Sequence, residues 1–579
     1  MGELQIKKQP TRYDAIIVGS GAGGGMAAYT LSKAGLKVCL LEAGPMYDPK
    51  KDITQFKWPY ESVRRGASTK TRPFGDFDAC LGGWEIDGEP YTHAEGDQWM
   101  WWRARMLGGR TNHWGRISLR FGPHDFKRYS IDGLGDNWPI GYEDIKPYYD
   151  KLDQLVGVFG TNEGLENDPD GFFLPPPKPR LHELFIKEAA TKTNVRVIPG
   201  RLSMLTKPIN SERGACVYCG QCNRACQFYA DFSSSSVFIQ PALKTGNIDV
   251  ICNAMAREVI TNNEGKATGV SYVNKDDMME YEVSGKIVIL AASACESARL
   301  MLNSKSPRHP NGLGNGSGVV GKYLHDSTGA AVGGYLPKLF GRKRYNEDGV
   351  GGMHVYSPWW LDNKKLDFPR GYHIEYWGGM DMPAYGFGGG IQGKNGKHPV
   401  NGKQKEAGGY GKSLKEDYRF FYGAGVGMAG RGEAIAREDN YCEIDNNVVD
   451  KFGIPVLKFH TKYSDYEVKQ ARHMKETFRE IMHNMGAVIT WGDTDDDKNE
   501  WGLSTPGEII HEAGTVRMGD DPKKSALNKW NQAHECQNLF VVDGGPFVSQ
   551  ADKNITWTIM ALSMRASEYI IDGLKKNSF

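Results

Sequence analysis

The sequence predicts an α/β protein, because apolar strand-like runs alternate with helical patterns at both ends of the chain. Residues 15–18 (AIIV) read as a buried strand, and a glycine-rich turn and a helical pattern lead from them to a second apolar run over residues 37–41. Residues 286–292 repeat the apolar pattern before a helical one over residues 295–303, and residues 538–545 (NLFVVDGG) form another strand. Strands that alternate with helices in this way are typical of the α/β class.

The turn after the first strand has the spacing Gly19-x-Gly21-x-x-Gly24. The first glycine permits a tight turn, the second lets the backbone approach a pyrophosphate, and the third lets the helix pack closely on the strand. The helix N-terminus offers free N–H groups and a positive dipole end to phosphates. Glu42 ends the second strand, where a carboxylate can accept hydrogen bonds from a ribose hydroxyl. Strand, turn, helix, strand and acid in this order predict a dinucleotide site.

Composition and charge exclude several classes of protein. Of the 579 residues, 40% are hydrophobic and 24% are charged, a soluble globular balance. The formal net charge of +1 comes without a long basic run, which argues against a nucleic-acid-binding protein. No apolar run is long enough to cross a bilayer, and the charged N-terminus lacks the apolar core of a secretion signal.

Four of the ten cysteines form a compact motif: Cys216, Cys219, Cys222 and Cys226. Their spacing, Cys-x2-Cys-x2-Cys-x3-Cys, is that of the bacterial ferredoxin run, in which thiolates surround an iron–sulfur cluster. The proline that usually follows the fourth cysteine is replaced by Gln227. A structural zinc site is the main alternative and a set of disulfides a weaker one, but zinc sites more often use two separated pairs. The motif therefore predicts one electron-carrying cluster.

Seven blocks resemble, in the same order, the glucose–methanol–choline (GMC) family of FAD oxidoreductases. The resemblance extends from residue 13 to about residue 571 and is weakest from about residue 328 to residue 505. The blocks are GSGAGG from Gly19, LGGRTNHWG from Leu107, WPIGYEDIKPYY from Trp138, LAASACESARLMLNS from Leu290, GLGNGSGVVGKYL from Gly312, HEAGTVRMG from His511 and NLFVVDGG from Asn538. Within the family, the chain is most similar to bacterial sugar dehydrogenases with a mid-chain cysteine run, namely gluconate dehydrogenases, iron–sulfur glucose dehydrogenases and glucoside 3-dehydrogenases.

The resemblance implies a Rossmann-like FAD-binding domain and a discontinuous substrate-binding domain that is built on an antiparallel sheet. The FAD-binding domain is expected to comprise residues 10–125, 240–328 and 503–575. The substrate-binding domain is expected to comprise residues 126–239 and 329–502, with the cysteine segment at residues 214–232.

By the same resemblance, His511 and Asn554 occupy the positions of the family's catalytic pair. Oxidation of an alcohol carbon requires removal of the hydroxyl proton as hydride leaves, and an imidazole is suited to this role. Asn554 can hydrogen-bond the substrate oxygen without titrating. A lone histidine before a glycine turn is more often structural, so the role of His511 depends on the resemblance.

The resemblance also implies a set of FAD-binding residues, and His113 in it is a candidate for covalent attachment of the flavin. Glu42 is expected at the adenosine ribose, Asp543 and Gly544 near the pyrophosphate and ribityl chain, and Asn112 and His113 against the isoalloxazine ring. The complete expected set is Gly19, Gly21, Ala22, Gly24, Glu42, Gly109, Asn112, His113, Asp543, Gly544, Asn554, Ile555 and Thr556. In relatives with this cysteine run, positions equivalent to Cys216, Cys222 and Cys226 bind a 3Fe–4S cluster, and the additional Cys219 leaves a 4Fe–4S cluster open.

The expected activity is oxidation of a secondary hydroxyl of a sugar or glycoside, with C3 of a pyranoside preferred. Gluconate, 2-ketogluconate and C1 of glucose are alternative substrates and sites. Electrons are expected to pass from FAD through the cluster to a cytochrome c or similar carrier. An oxygen-using oxidase, an FAD-containing lyase and a non-enzymatic electron-transfer subunit are the rival classes. Some tryptophans are candidates for stacking on sugar rings, with ordinary core packing as the alternative: Trp101, Trp102, Trp359, Trp360 and Trp377.

The resemblance further implies a partner. Relatives often work with a small subunit that carries an export signal, which predicts a periplasmic location by co-export with such a subunit. A cytoplasmic location is the alternative, because the chain has no signal of its own at its N-terminus.

Overall fold

The computed structural model describes residues 12–69, 72, 75–76, 78–343, 349–358, 366–380, 411–493 and 496–579. The strands in this part of the chain are β1 (Tyr13–Val18), β2 (Val38–Leu41), β3 (Gly82–Gly83), β4 (Thr92–His93), β5 (Arg103–Ala104), β6 (Val158–Phe159), β7 (Phe173–Leu174), β8 (Ile198–Pro199), β9 (Ile248–Ile251), β10 (Ala254–Thr261), β11 (Ala267–Asn274), β12 (Glu280–Leu290), β13 (Ala331–Tyr335), β14 (Val355–Ser357), β15 (Tyr372–Gly378), β16 (Gly425–Gly432), β17 (Tyr441–Val449), β18 (Pro455–His460), β19 (Val488–Trp491) and β20 (Leu539–Val541).

The α-helices are α1 (Ala22–Lys33), α2 (Arg128–Asp132), α3 (Tyr142–Val156), α4 (Leu181–Lys192), α5 (Gln240–Leu243), α6 (Ala294–Asn303), α7 (Gly411–Phe421), α8 (Asp465–Met485) and α9 (Thr556–Lys575). Among the described residues, none of these helices is both long enough and apolar enough to cross a membrane.

The first large sheet has the strand order β10-β11-β12-β1-β2-β9, and β20 also pairs with β12. The pairs β20–β12, β12–β1, β1–β2 and β2–β9 are parallel, whereas β10, β11 and β12 form an antiparallel meander. The apolar runs predicted as strands are buried, which is expected for a parallel sheet covered on both faces. Together with helix α1 after β1, this arrangement confirms the predicted α/β class and its Rossmann-like dinucleotide-binding sheet.

The second large sheet is antiparallel throughout and has the strand order β19-β13-β16-β15-β14-β8. One face packs against α8, whose Ala471, Met474 and Phe478 share a core with Ile374 and Met428 of the sheet. Helix α8 begins at a capping box, in which the side chain of Ser464 accepts from a backbone N–H and Glu467 reaches back. The predicted antiparallel sheet is therefore present, and its other face is free to meet the first sheet.

The chain crosses between the two sheets several times. Residues 13–41, 248–290 and 539–541 supply the first sheet, and strands from residues 198–199 to residues 488–491 supply the second. Both sheets are thus discontinuous in sequence. The predicted domain boundaries remain a prediction, and parts of them, including residues 10–11, lie outside the described residues.

Candidate active site

A cavity of about 340 Å³ opens at the carboxyl ends of β1, β2 and β12. This edge of an open α/β sheet is where ligands are usually bound. Most of the residues predicted to bind a cofactor or to carry out catalysis line it: Gly19, Gly21, Ala22, Glu42, Gly109, His113, His511, Asp543, Gly544, Asn554, Ile555 and Thr556. Gly24 and Asn112 are not in its lining. The fold therefore gathers residues more than 500 positions apart around one space.

The glycines of the turn occupy three different environments. Gly19 has a φ of +95°, a conformation that favours glycine, and a Cβ there would lie 2.4 Å from the carbonyl oxygen of Ala291. A Cβ on Gly24 would lie 1.9 Å from the carbonyl oxygen of Gly19, so this glycine allows α1 to pack on β1. A Cβ on Gly21 would meet no protein atom within 4 Å, so its backbone borders open space.

Glu42 is buried at the end of β2 and connects this strand to the turn. Its carboxylate accepts hydrogen bonds from the backbone N–H and the hydroxyl of Ser20, and from the backbone N–H of Gly44 at 2.8 Å. Burial raises the pKa of Glu42. The hydroxyl of Ser20 also accepts from the backbone N–H of Gly108 at 2.8 Å, so the predicted ribose ligand is part of a wider network.

Asn112 and His113 have different surroundings although they are neighbours in sequence. The side-chain amide of Asn112 is buried, donates to the carbonyl oxygens of Leu107 and Gly109, and accepts from the hydroxyl of Ser235. It therefore maintains the shape of the loop from inside. His113 lines the cavity, and its Nδ1 lies 2.7 Å from a carboxylate oxygen of Asp78.

The tryptophans predicted as stacking candidates are spread over the molecule. Trp102 lines the cavity and its ring lies nearly parallel to that of His113, at 12° and 5.6 Å between centroids. Trp101 is buried in the core and Trp377 is partly exposed on β15. Trp359 and Trp360 lie outside the described residues.

His511 and Asn554 meet at one end of the cavity. The amide Nδ2 of Asn554 lies 3.3 Å from Nε2 of His511 and donates to Oε1 of Glu375, also at 3.3 Å. The other ring nitrogen of His511, Nδ1, lies 3.0 Å from the hydroxyl of Ser327, which accepts from Nε2 of Gln550 at 2.6 Å. The two predicted catalytic residues are therefore in direct contact.

The hydrogen bonds around His511 favour the tautomer that has its proton on Nδ1. A hydroxyl oxygen has two acceptor lone pairs, so Ser327 can accept from both Gln550 and Nδ1 of His511. Asn554 donates toward Nε2, which requires a lone pair on that nitrogen. Burial, and then the positive charge of Arg431, lowers the pKa of His511 to about 3. The imidazole is thus neutral at physiological pH, with its basic nitrogen directed at Asn554.

Asp326 holds the backbone of the segment that carries His511. Its carboxylate accepts from the backbone N–H of His511 at 2.7 Å and of Ile509 at 3.0 Å. Burial, and then the negative charge of Glu512, raises the pKa of Asp326 to about 7. A bidentate ion pair between Glu512 and Arg110, at 2.6 and 2.7 Å, connects the same segment to the loop that begins at Gly108.

Three residues next to the catalytic pair were not predicted from the sequence: Asp326, Ser327 and Glu375. The first two come shortly after the glycine-rich block from Gly312, which ends at Leu324, so their closeness to that block was the available signal. Glu375 lies on β15, where the resemblance is weakest. Burial opposes its ionisation, but Arg431 at 3.1 Å and His373 outweigh burial and hold the pKa of Glu375 at about 2.

The cavity lining also includes a helix N-terminus and a buried carboxylate. Helix α9 begins at Thr556, directly after Asn554 and Ile555, so its first N–H groups are available to a ligand. Asp543 accepts hydrogen bonds from Ser293, Ser297 and Gly545, and burial raises its pKa to about 6.

The residues that line the cavity fit FAD. Two helix N-termini, those of α1 and α9, face one cavity, and the backbone at Gly21 is open for close approach. The side-chain oxygen of Asn554 is buried and has no hydrogen-bond partner among the described residues. Such an atom requires a partner, and a bound ligand supplies one.

The four clustered cysteines lie beside the loop that ends at Arg116. The guanidinium of Arg116 donates to the carbonyl oxygens of Cys222 and Asn112, at 2.8 and 3.3 Å, so it connects the cysteine segment to the loop beside the cavity. Cys222 and Cys226 are buried and Cys216 and Cys219 are partly exposed, all as free thiols. Among the residues that the structure describes, no group of three or more His, Cys, Asp or Glu side chains is placed to hold a metal ion.

Comparisons with known proteins identify the family. Two domains of the GMC oxidoreductases match this chain. The N-terminal domain matches residues 13–328 and the C-terminal domain matches residues 436–563. The chain belongs to the GMC oxidoreductase family. Enzymes of this family are FAD-dependent oxidoreductases that act on CH–OH groups, and this chain is one of them.

Known relatives match the GMC chain along nearly its whole length. It is 27% identical over 570 residues to a 2-methyl-1,2-propanediol dehydrogenase of Mycolicibacterium austroafricanum, with 96% of this chain and 95% of the relative covered. It is 25% identical over 585 residues to the fructose dehydrogenase large subunit of Gluconobacter japonicus, with 97% and 98% covered. Among solved structures, pyridoxine 4-oxidase from Mesorbium loti has the same fold, with a TM-score of 0.60, 15% identity and coverage of 96% and 99%.

Proposed function

We propose that this GMC enzyme is an FAD-dependent dehydrogenase that oxidises a secondary hydroxyl of a sugar or glycoside, with C3 of a pyranoside preferred. The observation that carries the proposal is the contact between a neutral His511 and Asn554 at one end of the cavity. The name of the fructose dehydrogenase relative supports a sugar substrate. The proposed FAD-binding residues are the predicted ones that line the cavity, with Gly24 and Asn112 shaping the turn and the loop.

The chemistry assigned to the protein is proton transfer and orientation. The substrate oxygen takes a place between His511 and Asn554, where its hydroxyl replaces the amide as the partner of Nε2 and gives its proton to that nitrogen, which its pKa keeps unprotonated. The N–H of Asn554 that is freed from His511 donates to the same substrate oxygen, while the other N–H stays with Glu375, which orients the amide. Bound FAD supplies the acceptor for the hydride that leaves the carbinol carbon.

The first prediction concerns His511→Ala. We expect this variant to retain FAD and to reduce it with substrate roughly 10²- to 10⁴-fold more slowly, because the general base is missing. Stopped-flow bleaching of the flavin absorbance measures the rate. His483→Ala is the matched control, since His483 is exposed near the end of α8 and distant in sequence from the cavity lining. Reduction at a near-normal rate in His511→Ala would contradict the assignment.

A dye-linked screen identifies the substrate and separates the rival activities. Glucose, alkyl glucosides, gluconate and 2-ketogluconate are compared, and the position of oxidation is read from the product by NMR. Peroxide formed in air at the rate of turnover would favour an oxidase. A substrate that is converted without bleaching the flavin would favour a lyase.

A separate test concerns covalent attachment of the flavin through His113. The protein is precipitated with acid, and flavin that stays with the precipitate is the expected result. Complete release of the flavin would exclude covalent attachment.

We further propose that Cys216, Cys219, Cys222 and Cys226 bind one iron–sulfur cluster, of 3Fe–4S or 4Fe–4S type, that passes electrons to a cytochrome c or similar carrier. The cysteine spacing supports this proposal. The second prediction is three or four iron atoms per chain, with matching acid-labile sulfide. A resonance near g = 2 in the oxidised protein indicates the three-iron form. A protein purified without oxygen that contains zinc or no metal would overturn the proposal.

The proposed partners follow from the same relatives. The fructose dehydrogenase relative is a large subunit, which supports a small subunit as the partner of this chain. We propose that such a subunit carries the export signal and takes the enzyme to the periplasm. Co-purification of an untagged second chain with the tagged one tests this, and a cytoplasmic enzyme that is active alone would contradict it.

A further inference from the structure

Two tryptophans share a platform on the face of the second sheet that meets the catalytic pair. Trp377 of β15 is 39% exposed and Trp491 of β19 is 47% exposed. Their rings are nearly parallel, at 10°, with centroids 6.0 Å apart. Large aromatic side chains that are left exposed side by side mark binding surfaces more often than single exposed residues do. We call this pair the tryptophan platform.

The tryptophan platform rests on two glycines. Gly333 of β13 and Gly427 of β16 are partners in register, and neither has a positive φ, so the backbone does not require glycine at either position. A Cβ on Gly427 would lie 2.3 Å from the ring of Trp377, and one on Gly333 would lie 2.3 Å from the ring of Trp491. Glycine inside a strand weakens the strand and commonly marks the close approach of another group. Here it lets both rings approach the backbone of the sheet closely.

The tryptophan platform lies on the same strand face as Glu375, which contacts the catalytic pair. Trp377 follows Glu375 by two positions in β15, so both side chains are on one face, about 6.6 Å apart along the strand. Glu375 is 3.3 Å from Asn554 and 3.1 Å from Arg431 of the neighbouring strand. Glu375 therefore lies between the catalytic pair and the platform.

We propose that the tryptophan platform binds a second sugar ring, joined to the ring that is oxidised. This deepens the proposed function and rests on it, because it makes the substrate a glycoside of at least two rings. The C–H face of a pyranose is rigid and apolar and matches an aromatic surface, while its hydroxyls stay at the rim. The carboxylate of Glu375, two positions before Trp377 on the same strand, borders the platform, where it can accept hydrogen bonds from those hydroxyls.

The third prediction compares one-ring and two-ring substrates. The probes are methyl α- and β-glucopyranoside against trehalose, maltose and cellobiose. We expect Trp377→Ala and Trp491→Ala to lower the ratio of kcat/KM for two-ring over one-ring substrates about tenfold, mainly through KM. Trp377→Phe should restore most of the ratio. Gly427→Ala should act like Trp377→Ala, whereas Gly425→Ala on the same strand is the matched control, since a Cβ there meets nothing within 4 Å.

A direct measurement of binding tests the platform without turnover. Quenching of tryptophan fluorescence by the same disaccharides, in wild type and variants, measures the affinity of the platform without oxidation. If the disaccharides bind through the platform but no sugar is oxidised, the platform proposal is supported and the proposed function fails. If one-ring sugars are oxidised and the second ring adds no affinity, the platform proposal is overturned while the function stands. The oligomeric state of wild type and of Trp377→Ala is measured as well. If wild type is a dimer that Trp377→Ala loses, and the ratio does not change, the platform is a protein interface and the platform proposal is overturned.

Discussion

At the scale of single residues, His511 is constrained from three directions. Asp326 fixes its backbone N–H, Ser327 contacts Nδ1, and Asn554 faces Nε2. The first contact fixes the backbone, and the other two restrict the imidazole and aim one nitrogen at the cavity. A general base that is held in this way loses less entropy when the substrate arrives.

The fourth prediction follows from the lowered pKa of His511. Burial and Arg431 place this pKa at about 3, so the proton-accepting form persists as the pH falls through 6.5. We therefore expect kcat/KM for flavin reduction to show no loss due to His511 between pH 8 and pH 5. Stability, unlike kcat/KM, is expected to depend on pH. Below about pH 6.5 the unfolded histidine gains a proton and the folded one does not, so the free energy of unfolding falls as the pH is lowered toward 3.

The control for this pH profile is Asp326→Asn. The pKa of Asp326 is raised to about 7, so an inflection near that pH belongs to this carboxyl group if the variant abolishes it. Asp543 has a pKa of about 6, so Asp543→Asn is the second control. An inflection near pH 6.5 that survives in both variants would show that His511 titrates normally and would contradict the prediction.

At the scale of elements, two glycines of the turn between β1 and α1 have different roles, one in folding and the other in binding. The fifth prediction compares Gly24→Ala with Gly21→Ala. The first places a methyl group 1.9 Å from a backbone oxygen, so we expect it to destabilise the fold by at least about 1–3 kcal/mol. The second meets no protein atom but fills the space proposed for the pyrophosphate, so the protein should fold normally and lose FAD.

Thermal unfolding of the FAD-free proteins and the flavin content of the purified ones measure the two effects separately. A Gly21→Ala variant that keeps a full complement of FAD would show that the cofactor does not approach this backbone. A Gly24→Ala variant as stable as wild type would show that α1 can shift without cost.

At the scale of the whole molecule, the cavity depends on packing between segments that are far apart in the sequence. The first sheet brings the turn at Gly19 next to Asp543 and Gly544, because β20 adds to the sheet beside β12. The second sheet then brings Glu375 against Asn554. Residues from both ends of the chain therefore have to pack before the site exists, and its formation is coupled to that of the complete fold.

Local sequence determined the α/β class, the turn and the polar residues of the seven blocks. Glycine spacing and apolar periodicity act over fewer than about twelve residues, so the chain alone reveals them. The motif around His511 indicated a functional histidine only through resemblance. The cysteine spacing predicts a cluster in the same way, and the arrangement of the described residues does not add to that prediction.

Only the tertiary structure decided which residues surround the catalytic pair. Glu375, Ser327 and Trp491 carry no signal of their own, because a carboxylate, a hydroxyl or an indole gains its role from what packs against it. Gly333 and Gly427 read as weak strand residues in sequence, whereas in the sheet they form the floor beneath two tryptophans. Sequence thus determined where the cofactor turn lies and what class of fold carries it. Packing between two discontinuous sheets determined the neutral state of His511 and the surface beside it, since burial and charge are properties of neighbours in space.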